Sequence, residues 1–386
     1  MNNKLKIAFI APSFPPISGG MGTACYYTAN EISKEYDCTV FLADRKIKYN
    51  SGNFKIKTFK PIFSYGYADF APHLIKQLKY FDIIHLYYPY FGIAEFLFLL
   101  QKKNKKSPKI IFHYQMDMVG SGLSKFVAFL HKKFCMPVLF KKVDLVFVLS
   151  TDYAQNSDLK KYYKKYKSKF KVAPNGVDIE IFSKIHEHKI ESAKEKLGFK
   201  KTDKIIFTAQ ALDKAHFFKG IDVLIKSIKQ LDRSDIKLLI AGNGNLKNKY
   251  KKLAQKLDVS DRVIFLGTIS HDFLPLYYSL ADVTAVPSTR RTESFSITAA
   301  ESMACETPVI VSNWPGLRVT PENNVSGLII KPNNETDLAK KILEFVDNPK
   351  KLQSFGSAGR KKVESEYTWP KISENIITEY NKLLIL

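Results

Sequence analysis

The sequence lacks an apolar run long enough to cross a lipid bilayer. Its most apolar stretch, Phe91 to Leu100, is interrupted by Glu95, whereas a spanning helix needs about 20 apolar residues. Residues 1–6 lead directly into a strand-like segment, without the apolar core and cleavage site of a signal peptide. These absences predict a cytoplasmic protein that does not cross a membrane.

Cysteine is scarce, and its spacing fits neither a disulfide framework nor a metal site. We therefore expect reduced thiols at the four positions, Cys25, Cys38, Cys135 and Cys305. An Asp-x-Asp motif is absent, and the pair His186 and His188 lies in a polar segment without further ligands. The sequence predicts no metal and no cofactor.

Arginine is also rare, with seven of the 60 basic residues, although the net charge is +23. Because arginine is the preferred planar reader of phosphates and base edges, a nucleic-acid partner is disfavoured. The charge is concentrated in residues 1–180, which carry +15, against +8 in residues 181–386. This excess favours an anionic partner, such as a phosphorylated substrate or an anionic membrane, or a lysine-rich solvated surface.

What the sequence does have is a repeated alternation of short β-branched or aromatic runs with amphipathic stretches, typical of βαβ units. The predicted strands are Lys6–Ile10, Thr39–Leu42, Ile83–Leu86, Lys109–Phe112, Leu145–Leu149, Lys204–Thr208, Lys237–Ala241, Val263–Leu266, Val283–Val286 and Pro308–Val311.

A turn signal at Asn175–Asp178 and the polar residues 183–203 separate two such series of strands. We therefore predict an α/β protein with two Rossmann-like, doubly wound parallel-sheet domains, residues 1–180 and 181–368. Residues 369–386 have a helical apolar pattern with no strand after it, and we expect this helix to dock back on the first domain.

Glycines follow the first strand, where ligands of open α/β sheets bind. Gly19, Gly20 and Gly22 precede a helix predicted to begin near Thr23. They let backbone amides approach an anion at a helix amino terminus, although a plain tight turn explains them equally well. Because the spacing is not GxGxxG, a hydride-transferring dinucleotide site is disfavoured.

The segment from Pro287 to Cys305 follows a strand and opens a helix. Ser294 or Ser296 can cap this helix. The helix amino terminus would then direct free amides at a diphosphate, namely those of Phe295, Ser296 and Ile297.

Two glutamates flank this helix start. Glu293 lies just before the amides and could accept hydrogen bonds from sugar hydroxyls, whereas Glu301 lies about two turns later among small apolar residues. A buried glutamate needs partners, and ribose hydroxyls would supply them. The rise of a helix separates the two carboxylates more than a glycosidase pair allows, so they are interpreted as substrate holders.

Glu293 and Glu301 in E-x7-E register resemble the signature of family 4 glycosyltransferases. Further matches follow the family's order along nearly the whole chain: Gly19-Gly20-Met21-Gly22, Pro174-Asn175-Gly176-Val177-Asp178, Phe218-Lys219-Gly220, Ala241-Gly242-Asn243-Gly244, Phe265-Leu266-Gly267, Pro287-Ser288, Met303-Ala304-Cys305 and Thr307-Pro308-Val309. The resemblance implies the GT-B fold, with two domains facing across a cleft. It also implies transfer of a sugar, with retention of configuration, from a nucleotide-diphosphate sugar to a glycan, lipid-linked or other hydroxyl acceptor.

The resemblance also assigns roles to single residues. It implies that Glu293 contacts the donor sugar, Glu301 the ribose and Lys219 the diphosphate. Lys219 precedes a glycine and a helix, where a cation can neutralise charge on a departing phosphate. Three residues of the matching motifs are added to the donor site: Asn175, Gly242 and Asn243.

His113 is predicted to lie just after the strand Lys109–Phe112, and in similar enzymes a histidine in this loop reaches the donor sugar. Tyr114 and Asp117 are expected on the same loop, where they could orient His113 or touch the acceptor. A structural histidine bonded to the backbone is the alternative interpretation.

The chain departs from the family pattern at Ala211, where relatives often carry an arginine that joins the lysine at the diphosphate. The candidates to replace it are Arg290, Arg291 and His216. Two other functions therefore stay open: a GT-B nucleotide-sugar epimerase or phosphorylase-like enzyme, and a catalytically silent nucleotide-sugar-binding protein.

An apolar stripe at helical spacing follows these loops, formed by Leu123, Phe126, Val127, Leu130 and Phe134, with lysines nearby. Such a stripe is usually core, which is the favoured interpretation. The alternative is peripheral contact with an anionic membrane at its inner face, near a lipid-linked acceptor.

Overall fold

The structure is a computed structural model that describes residues 4–16, 19–101, 107–118 and 123–385. The chain divides into two compact units. Domain 1 comprises residues 1–175 together with 369–386, and domain 2 comprises residues 176–368. Both are α/β domains with a parallel sheet, as the sequence predicted.

Domain 1 contains the first group of strands and helices. Its strands are β1 (Lys6–Ile10), β2 (Asp37–Ala43), β3 (Lys55–Phe59), β4 (Phe63–Tyr65), β5 (Ala68–Phe70), β6 (Ile83–Tyr88), β7 (Lys109–Tyr114), β8 (Leu145–Val148) and β9 (Phe170–Val172). Its helices are α1 (Gly20–Ile32), α2 (Ile75–Leu78), α3 (Ala94–Leu97), α4 (Leu123–Leu130), α5 (Met136–Lys142), α6 (Thr151–Asn156) and α7 (Lys160–Lys165).

Domain 2 repeats the alternation. Its strands are β10 (Lys204–Ala209), β11 (Ile236–Ala241), β12 (Val263–Gly267), β13 (Val283–Val286), β14 (Val309–Ser312) and β15 (Gly327–Ile330). Its helices are α8 (Glu187–Lys196), α9 (Ile221–Gln230), α10 (Lys247–Lys256), α11 (Leu274–Leu280), α12 (Ile297–Ala304), α13 (Glu335–Val346) and α14 (Pro349–Glu366). The last helix of the chain, α15 (Trp369–Ile385), belongs to domain 1.

Both sheets are doubly wound. The strand order is β3-β2-β1-β6-β7-β8-β9 in domain 1 and β12-β11-β10-β13-β14-β15 in domain 2, with every neighbouring pair parallel. The central strands are continuously apolar and buried, because helices cover both faces of such sheets. In each sheet the winding direction changes once, between β1 and β6 and between β10 and β13.

The strands that the sequence did not reveal lie at sheet edges or in a hairpin. β3 exposes lysines on most of its length, and β9, β4 and β5 have only three residues each. Edge strands are short and charged because unpaired backbone at a sheet edge invites association. The lysine-rich strand β3 and the three short strands carry little of the apolar signal on which the sequence prediction depended. The edge strand β15 was also missed, although it is apolar and largely buried.

The domain boundary lies five residues before the predicted one. Residues 176–180 belong to domain 2 because Val177 forms a bridge with Thr368 and its amide donates to the Tyr367 carbonyl at 2.7 Å. The backbone pairing therefore assigns this short segment to the second domain.

The carboxyl-terminal helix α15 packs within domain 1, against α1. The Trp369 and Tyr27 rings stack with their centroids 5.2 Å apart, and Tyr380 is fully buried and hydrogen-bonded to His85. The apolar face of the helix thus completes the hydrophobic core on one side of the domain 1 sheet.

The apolar stripe after β7 is exposed, so its interpretation as core is wrong. α4, a π-helix (His131–Cys135) and α5 form this region, and Phe126 and Phe134 are 58% and 60% exposed. A different set of side chains packs inward: Ala128, His131, Met136, Leu139 and Phe140. The side chain of Leu123 lies outside the described residues. Among the described helices, none has the length and apolarity to span a bilayer.

Candidate active site

The loops after β10 and β13 meet in domain 2. These strands are neighbours in the sheet, but the chain reaches β13 only after β11 and β12 have extended the sheet on the other side. At such a switch point, ligands of open α/β sheets bind in a crevice outside the carboxyl ends of the strands. The predicted residues Lys219 and Glu293 lie in or directly after these two loops.

A close backbone approach holds the two loops together. Gly220 has φ +75°, and a Cβ atom there would lie 2.0 Å from the Pro287 carbonyl oxygen, so only glycine fits. The Phe218 carbonyl accepts hydrogen bonds from the Thr289 amide at 2.7 Å and the Thr289 hydroxyl at 3.1 Å. The 3-10 helix Lys214–Lys219 is thereby fixed against the segment that follows β13.

Lys219 and Glu293 form an ion pair at this point. Lys219 Nζ donates to Glu293 Oε1 at 2.6 Å, and the Ser288 hydroxyl donates to Glu293 Oε2. The Glu293 side chain is 5% exposed, whereas that of Lys219 is 20% exposed. The pair is therefore buried on its carboxylate side and accessible on its ammonium side. Thr292 Oγ1, next to Glu293 in the sequence, is buried without a protein hydrogen-bond partner.

The amino terminus of α12 follows directly. Ser296 is the N-cap, and its hydroxyl accepts from the Ala299 amide at 3.1 Å, which confirms one of the two predicted caps. The Ser296 amide is not free, since it donates to Thr320 Oγ1 at 3.4 Å. Phe295 packs its ring against Tyr367, and Ile297 is the first helical residue. The cap leaves the positive end of the helix dipole next to Glu293.

Glu301 is buried in the second turn of α12, as predicted. Its Oε2 accepts from the Tyr278 hydroxyl at 2.8 Å, and its Oε1 lies 3.9 Å from His271 Nε2. Burial raises the pKa of Glu301 to about 7. A carboxyl group that is costly to ionise in the free protein gains from hydroxyl donors supplied by a ligand.

The glycine-rich loop after β11 packs on the end of β10. The Gly242 amide donates to the Gly267 carbonyl at 2.6 Å, and the Asn243 side chain accepts from the Gly244 amide at 3.0 Å. The loop at the carboxyl end of β11 thus forms a tight backbone turn beside the end of β10. Gln210, at the end of β10, has a buried Oε1 without a protein partner.

In domain 1 the predicted glycines lie at the amino end of α1. The helix begins at Gly20, three residues earlier than expected, with Gly19 exposed as its N-cap residue. Gly22 is buried where a Cβ atom would lie 2.9 Å from the Phe14 backbone. Asn175, the last residue of this domain before α15, is buried, and its Oδ1 has no protein partner.

The predicted loop position of His113 is wrong. β7 extends to Tyr114, and His113 lies inside the strand with 1% exposure. Its Nε2–H donates to the Ala173 carbonyl at 2.9 Å, and its Nδ1 lies 3.3 Å from His85 Nε2. Both ring nitrogens are therefore occupied by the protein, which supports the structural alternative rather than contact with a donor.

Tyr114 and Asp117 are likewise buried in domain 1. The Tyr114 hydroxyl donates to Asp117 Oδ1 at 2.9 Å, and the Asp158 amide donates to the same oxygen at 3.1 Å. The Asp117 amide donates to the Tyr153 hydroxyl at 2.7 Å. These hydrogen bonds hold the segment after β7 in place. The contact of Tyr114 or Asp117 with the acceptor stays a prediction.

The histidines of β6 and β7 form a neutral chain of hydrogen bonds. Since His113 Nε2–H donates to a carbonyl, His113 Nδ1 must accept from His85 Nε2–H, and His85 Nδ1 accepts from the Tyr380 hydroxyl. Burial lowers the pKa of His113 to about 4. Burial, together with the neighbouring His113, also lowers the pKa of His85. Protonation of either ring would break this chain.

Domain 1 is therefore expected to lose stability on acidification. The unfolded state takes up the His113 proton below about pH 6.5 while the folded state stays neutral, so up to about 3 kcal/mol is lost between pH 6.5 and 4. Urea unfolding at several pH values, followed by Trp369 fluorescence in a Trp314→Phe background, measures this. His113→Gln, which keeps the Nε2 donor position without a titrating ring, should flatten the pH dependence. An equal slope in both proteins would contradict the assignment.

The possible substitutes for the missing arginine lie beside Lys219. The Arg290 guanidinium packs over the Phe217 ring, 4.4 Å from its centroid. His216 Nδ1 lies 2.9 Å from Asp213 Oδ1. Arg291 is exposed in the same segment. Arg290 thus places a cation against the 3-10 helix that ends at Lys219, and compensation for the arginine absent at Ala211 stays a prediction.

Sequence reasoning gave no role to several residues that build the site. Ser288 was noted only as part of a motif, although it holds Glu293, and Trp314 Nε1 donates to the Ser288 carbonyl at 2.9 Å. Tyr278 holds Glu301 across 23 positions of sequence. Tyrosine and tryptophan at apolar positions are ordinary core residues, so only the fold reveals these contacts.

Two family models match successive parts of the chain. A model described as glycosyltransferase family 4 matches residues 18–181, and one described as glycosyl transferases group 1 matches residues 189–362. Together they extend through both domains.

Individual proteins give the same picture. The chain is 32% identical over 216 residues to the GDP-mannose-dependent monoacylated alpha-(1-6)-phosphatidylinositol monomannoside mannosyltransferase of Corynebacterium glutamicum, covering 54% of this chain and 55% of that protein. It therefore spans about half the length of this relative. By fold it is similar to sucrose-phosphate synthase from Thermosynechococcus elongatus, with a TM-score of 0.79, 20% identity and coverage of 99% and 100%. Anabaena HepE in complex with UDP has a TM-score of 0.76, 18% identity and coverage of 98% and 100%.

Proposed function

Because the chain belongs to the family 4 glycosyltransferases of glycosyl transferases group 1, we propose that it transfers a hexose from a nucleotide-diphosphate sugar to a hydroxyl acceptor. The observation that carries this proposal is the Lys219–Glu293 ion pair at the switch point of the domain 2 sheet, next to the amino terminus of α12. A cation and a helix dipole can bind the phosphates of a sugar diphosphate, and a carboxylate can accept hydrogen bonds from its sugar hydroxyls. All three groups are next to one another here.

Donor binding would rearrange the ion pair. The diphosphate oxygens attract Lys219 Nζ, whose ammonium is the exposed partner, and the sugar hydroxyls donate to Glu293. Ser288 keeps the second Glu293 oxygen in place during this exchange. Glu301 would accept from the ribose hydroxyls, with Tyr278 holding its other side. The buried oxygens of Gln210 and Thr292 are further acceptors for the ligand.

In the reaction the bond between the anomeric carbon and the phosphate oxygen breaks, and the nucleoside diphosphate leaves with the electron pair. The acceptor oxygen bonds to the anomeric carbon, and its proton passes to the departing phosphate or to water. Lys219 and the α12 dipole lower the barrier because they stabilise the charge that develops on the leaving group. We propose retention of anomeric configuration, which the configuration of the product in NMR spectra tests.

The donor class is tested with UDP-, GDP-, ADP- and CMP-sugars. We expect release of nucleoside diphosphate from a UDP-, GDP- or ADP-sugar, accelerated by a glycan or lipid-linked acceptor, and no turnover of CMP-sugars, which carry a single phosphate. GDP-mannose and UDP-glucose are tried first, because the names of similar proteins include GDP-mannose and UDP. Conversion of the sugar without an acceptor would favour an epimerase, and cleavage by phosphate a phosphorylase-like enzyme. Binding without any turnover would favour a silent nucleotide-sugar-binding protein.

We further propose that transfer needs no metal. Lys219 and the helix dipole already neutralise the diphosphate, so a bridging cation is not required. Addition of Mg²⁺ or Mn²⁺ should leave the rate unchanged, and a strong activation would contradict this point.

We also propose that the protein works in the cytoplasm at the inner membrane face, through the exposed patch on α4, the π-helix and α5. Its apolar side chains are Phe126, Phe129, Phe134 and Val138, exposed by 44% to 60%. Lys133 lies over the Phe129 and Phe134 rings, and Lys141 and Lys142 end α5. Aromatic rings with flanking lysines fit an anionic lipid surface, to which each lysine adds about 1 kcal/mol.

The patch predicts binding to anionic vesicles that decreases with salt. Phe126→Ser together with Phe134→Ser should weaken co-sedimentation at least about tenfold, because two aromatic rings no longer enter the interface. Phe273→Ser, which removes a ring of similar exposure in domain 2, is the matched control and should have no effect. Equal binding by all three proteins, or no binding at low salt, would contradict the membrane contact.

A further inference from the structure

Three side chains that can ligate a metal meet in domain 1. Glu95 lies on α3, and His131 and Cys135 are the first and last residues of the π-helix. One ligand atom from each lies within 4.8 Å of the other two. The wide turn of a π-helix brings residues four apart to one face, and such turns are frequent at functional sites.

The histidine is held as a metal ligand would be. His131 is 4% exposed, its Nδ1 lies 2.7 Å from Glu95 Oε1, and its Nε2 lies 2.6 Å from the Tyr88 hydroxyl. Glu95 Oε2 in turn accepts from the Gly92 amide at 2.7 Å. Ligating histidines generally use the second ring nitrogen in such an outer contact, which fixes the ring orientation.

We propose that Glu95, His131 and Cys135 bind a divalent cation of the zinc class. A thiolate and an imidazole favour zinc over magnesium or calcium, which prefer all-oxygen sites. Zinc bonds of about 2.0–2.3 Å in a tetrahedron place the ligand atoms about 3.5 Å apart. To reach this spacing, the cation would have to replace the direct Glu95–His131 contact, and the Cys135 thiol would have to move toward it. The cation enters at His131 Nδ1, His131 Nε2–H then donates to Tyr88, and the Cys135 proton leaves to solvent.

With three protein ligands, water completes the fourth position. The cation would join α3 to the π-helix. Phe134, a residue of the exposed patch on α4, the π-helix and α5, lies within that π-helix. The site belongs to domain 1 and takes no part in the donor chemistry assigned to domain 2. This proposal departs from the sequence prediction of no metal, which considered only motifs of residues close in the chain, whereas Glu95 and His131 are far apart.

The test uses full-length protein stripped with a chelator and titrated with Zn²⁺ against a chromogenic competitor. We expect one equivalent to bind, and Cys135→Ser and Glu95→Gln each to weaken the affinity at least about tenfold. Substitution with Co²⁺ should give a thiolate charge-transfer band that Cys135→Ser removes. His188→Gln is the control, because it removes a ring from the exposed His186–His188 pair and should change neither result.

Measurements on the wild-type protein are sufficient to contradict the proposal. It is wrong if Zn²⁺ does not bind stoichiometrically, or if the Co²⁺-substituted protein shows no thiolate charge-transfer band. Unchanged affinity in both Cys135→Ser and Glu95→Gln, or loss of binding in His188→Gln, would also contradict it. Circular dichroism identifies any variant that fails to fold, in which case the other ligand variant and the cobalt spectrum decide.

Discussion

Replacing Lys219 with alanine is expected to lower kcat/KM about 10- to 150-fold. The Lys219 ammonium forms an ion pair with Glu293 and is the exposed member of that pair, placed to stabilise the leaving diphosphate. Loss of a hydrogen bond to a charged group costs about 1.5–3 kcal/mol in the transition state, which corresponds to this range. Steady-state kinetics with the preferred donor measure the effect.

Lys214→Ala is the matched control. Lys214 begins the same 3-10 helix but is exposed, so its removal should leave the rate within about twofold of wild type. Combining Lys219→Ala with Glu293→Gln tests whether an unpaired buried carboxylate destabilises the single variant, because the double variant no longer contains that carboxylate. We expect the double variant to recover stability but not activity. A near-wild-type rate for Lys219→Ala would remove this residue from the mechanism.

Replacing Gly242 with alanine is expected to lower the free energy of unfolding of domain 2 by about 2–6 kcal/mol. Gly242 has φ +130°, and a Cβ atom there would lie 1.8 Å from the Gln210 carbonyl oxygen. Both the strained backbone and the overlap with backbone contribute about 1–3 kcal/mol each. Calorimetry of the variant should show the loss, and donor affinity should decrease with it because the loop after β10 is displaced.

Gly198→Ala tests the two causes separately within the same domain. Gly198 also has a positive φ, +75°, but an added Cβ would meet no atom within 4 Å. Its replacement should therefore cost only about 1 kcal/mol. If Gly242→Ala and Gly198→Ala were equally stable, the explanation that Gly242 allows close packing of the loops after β10 and β11 would be wrong.

The sequence predicted the buried frame of both domains well, because parallel strands covered on both faces have continuous apolar runs. β1 and β13 have the predicted bounds, and the other predicted strands differ by one or two residues at their ends. The sequence also predicted that Lys219 and Glu293 each serve the donor site, but it did not predict their mutual contact, which depends on the strand order. Edge strand β3, with its lysines, carries no such signal.

The errors have a common physical origin, which is that burial of single side chains depends on distant partners. Nothing near His113 in the sequence indicates that β7 extends two residues beyond its predicted end. Nor does the sequence indicate that the Ala173 carbonyl accepts a hydrogen bond from the His113 ring. Phe126 and Phe134 have core-like spacing, yet both rings are exposed, and of the residues between them Ala128 and His131 pack inward. The contact of Glu95 with His131 likewise exists only in the fold.

The most direct test of the account is a thermal-shift panel of the purified protein against UDP-, GDP-, ADP- and CMP-sugars. A ligand that binds only the folded state raises Tm by mass action. We predict a clear rise with one nucleotide sugar, and a much smaller rise in the Lys219→Ala variant at the same concentration. An absence of any shift, or an equal shift in both proteins, would contradict the proposal that Lys219 and Glu293 hold a sugar diphosphate.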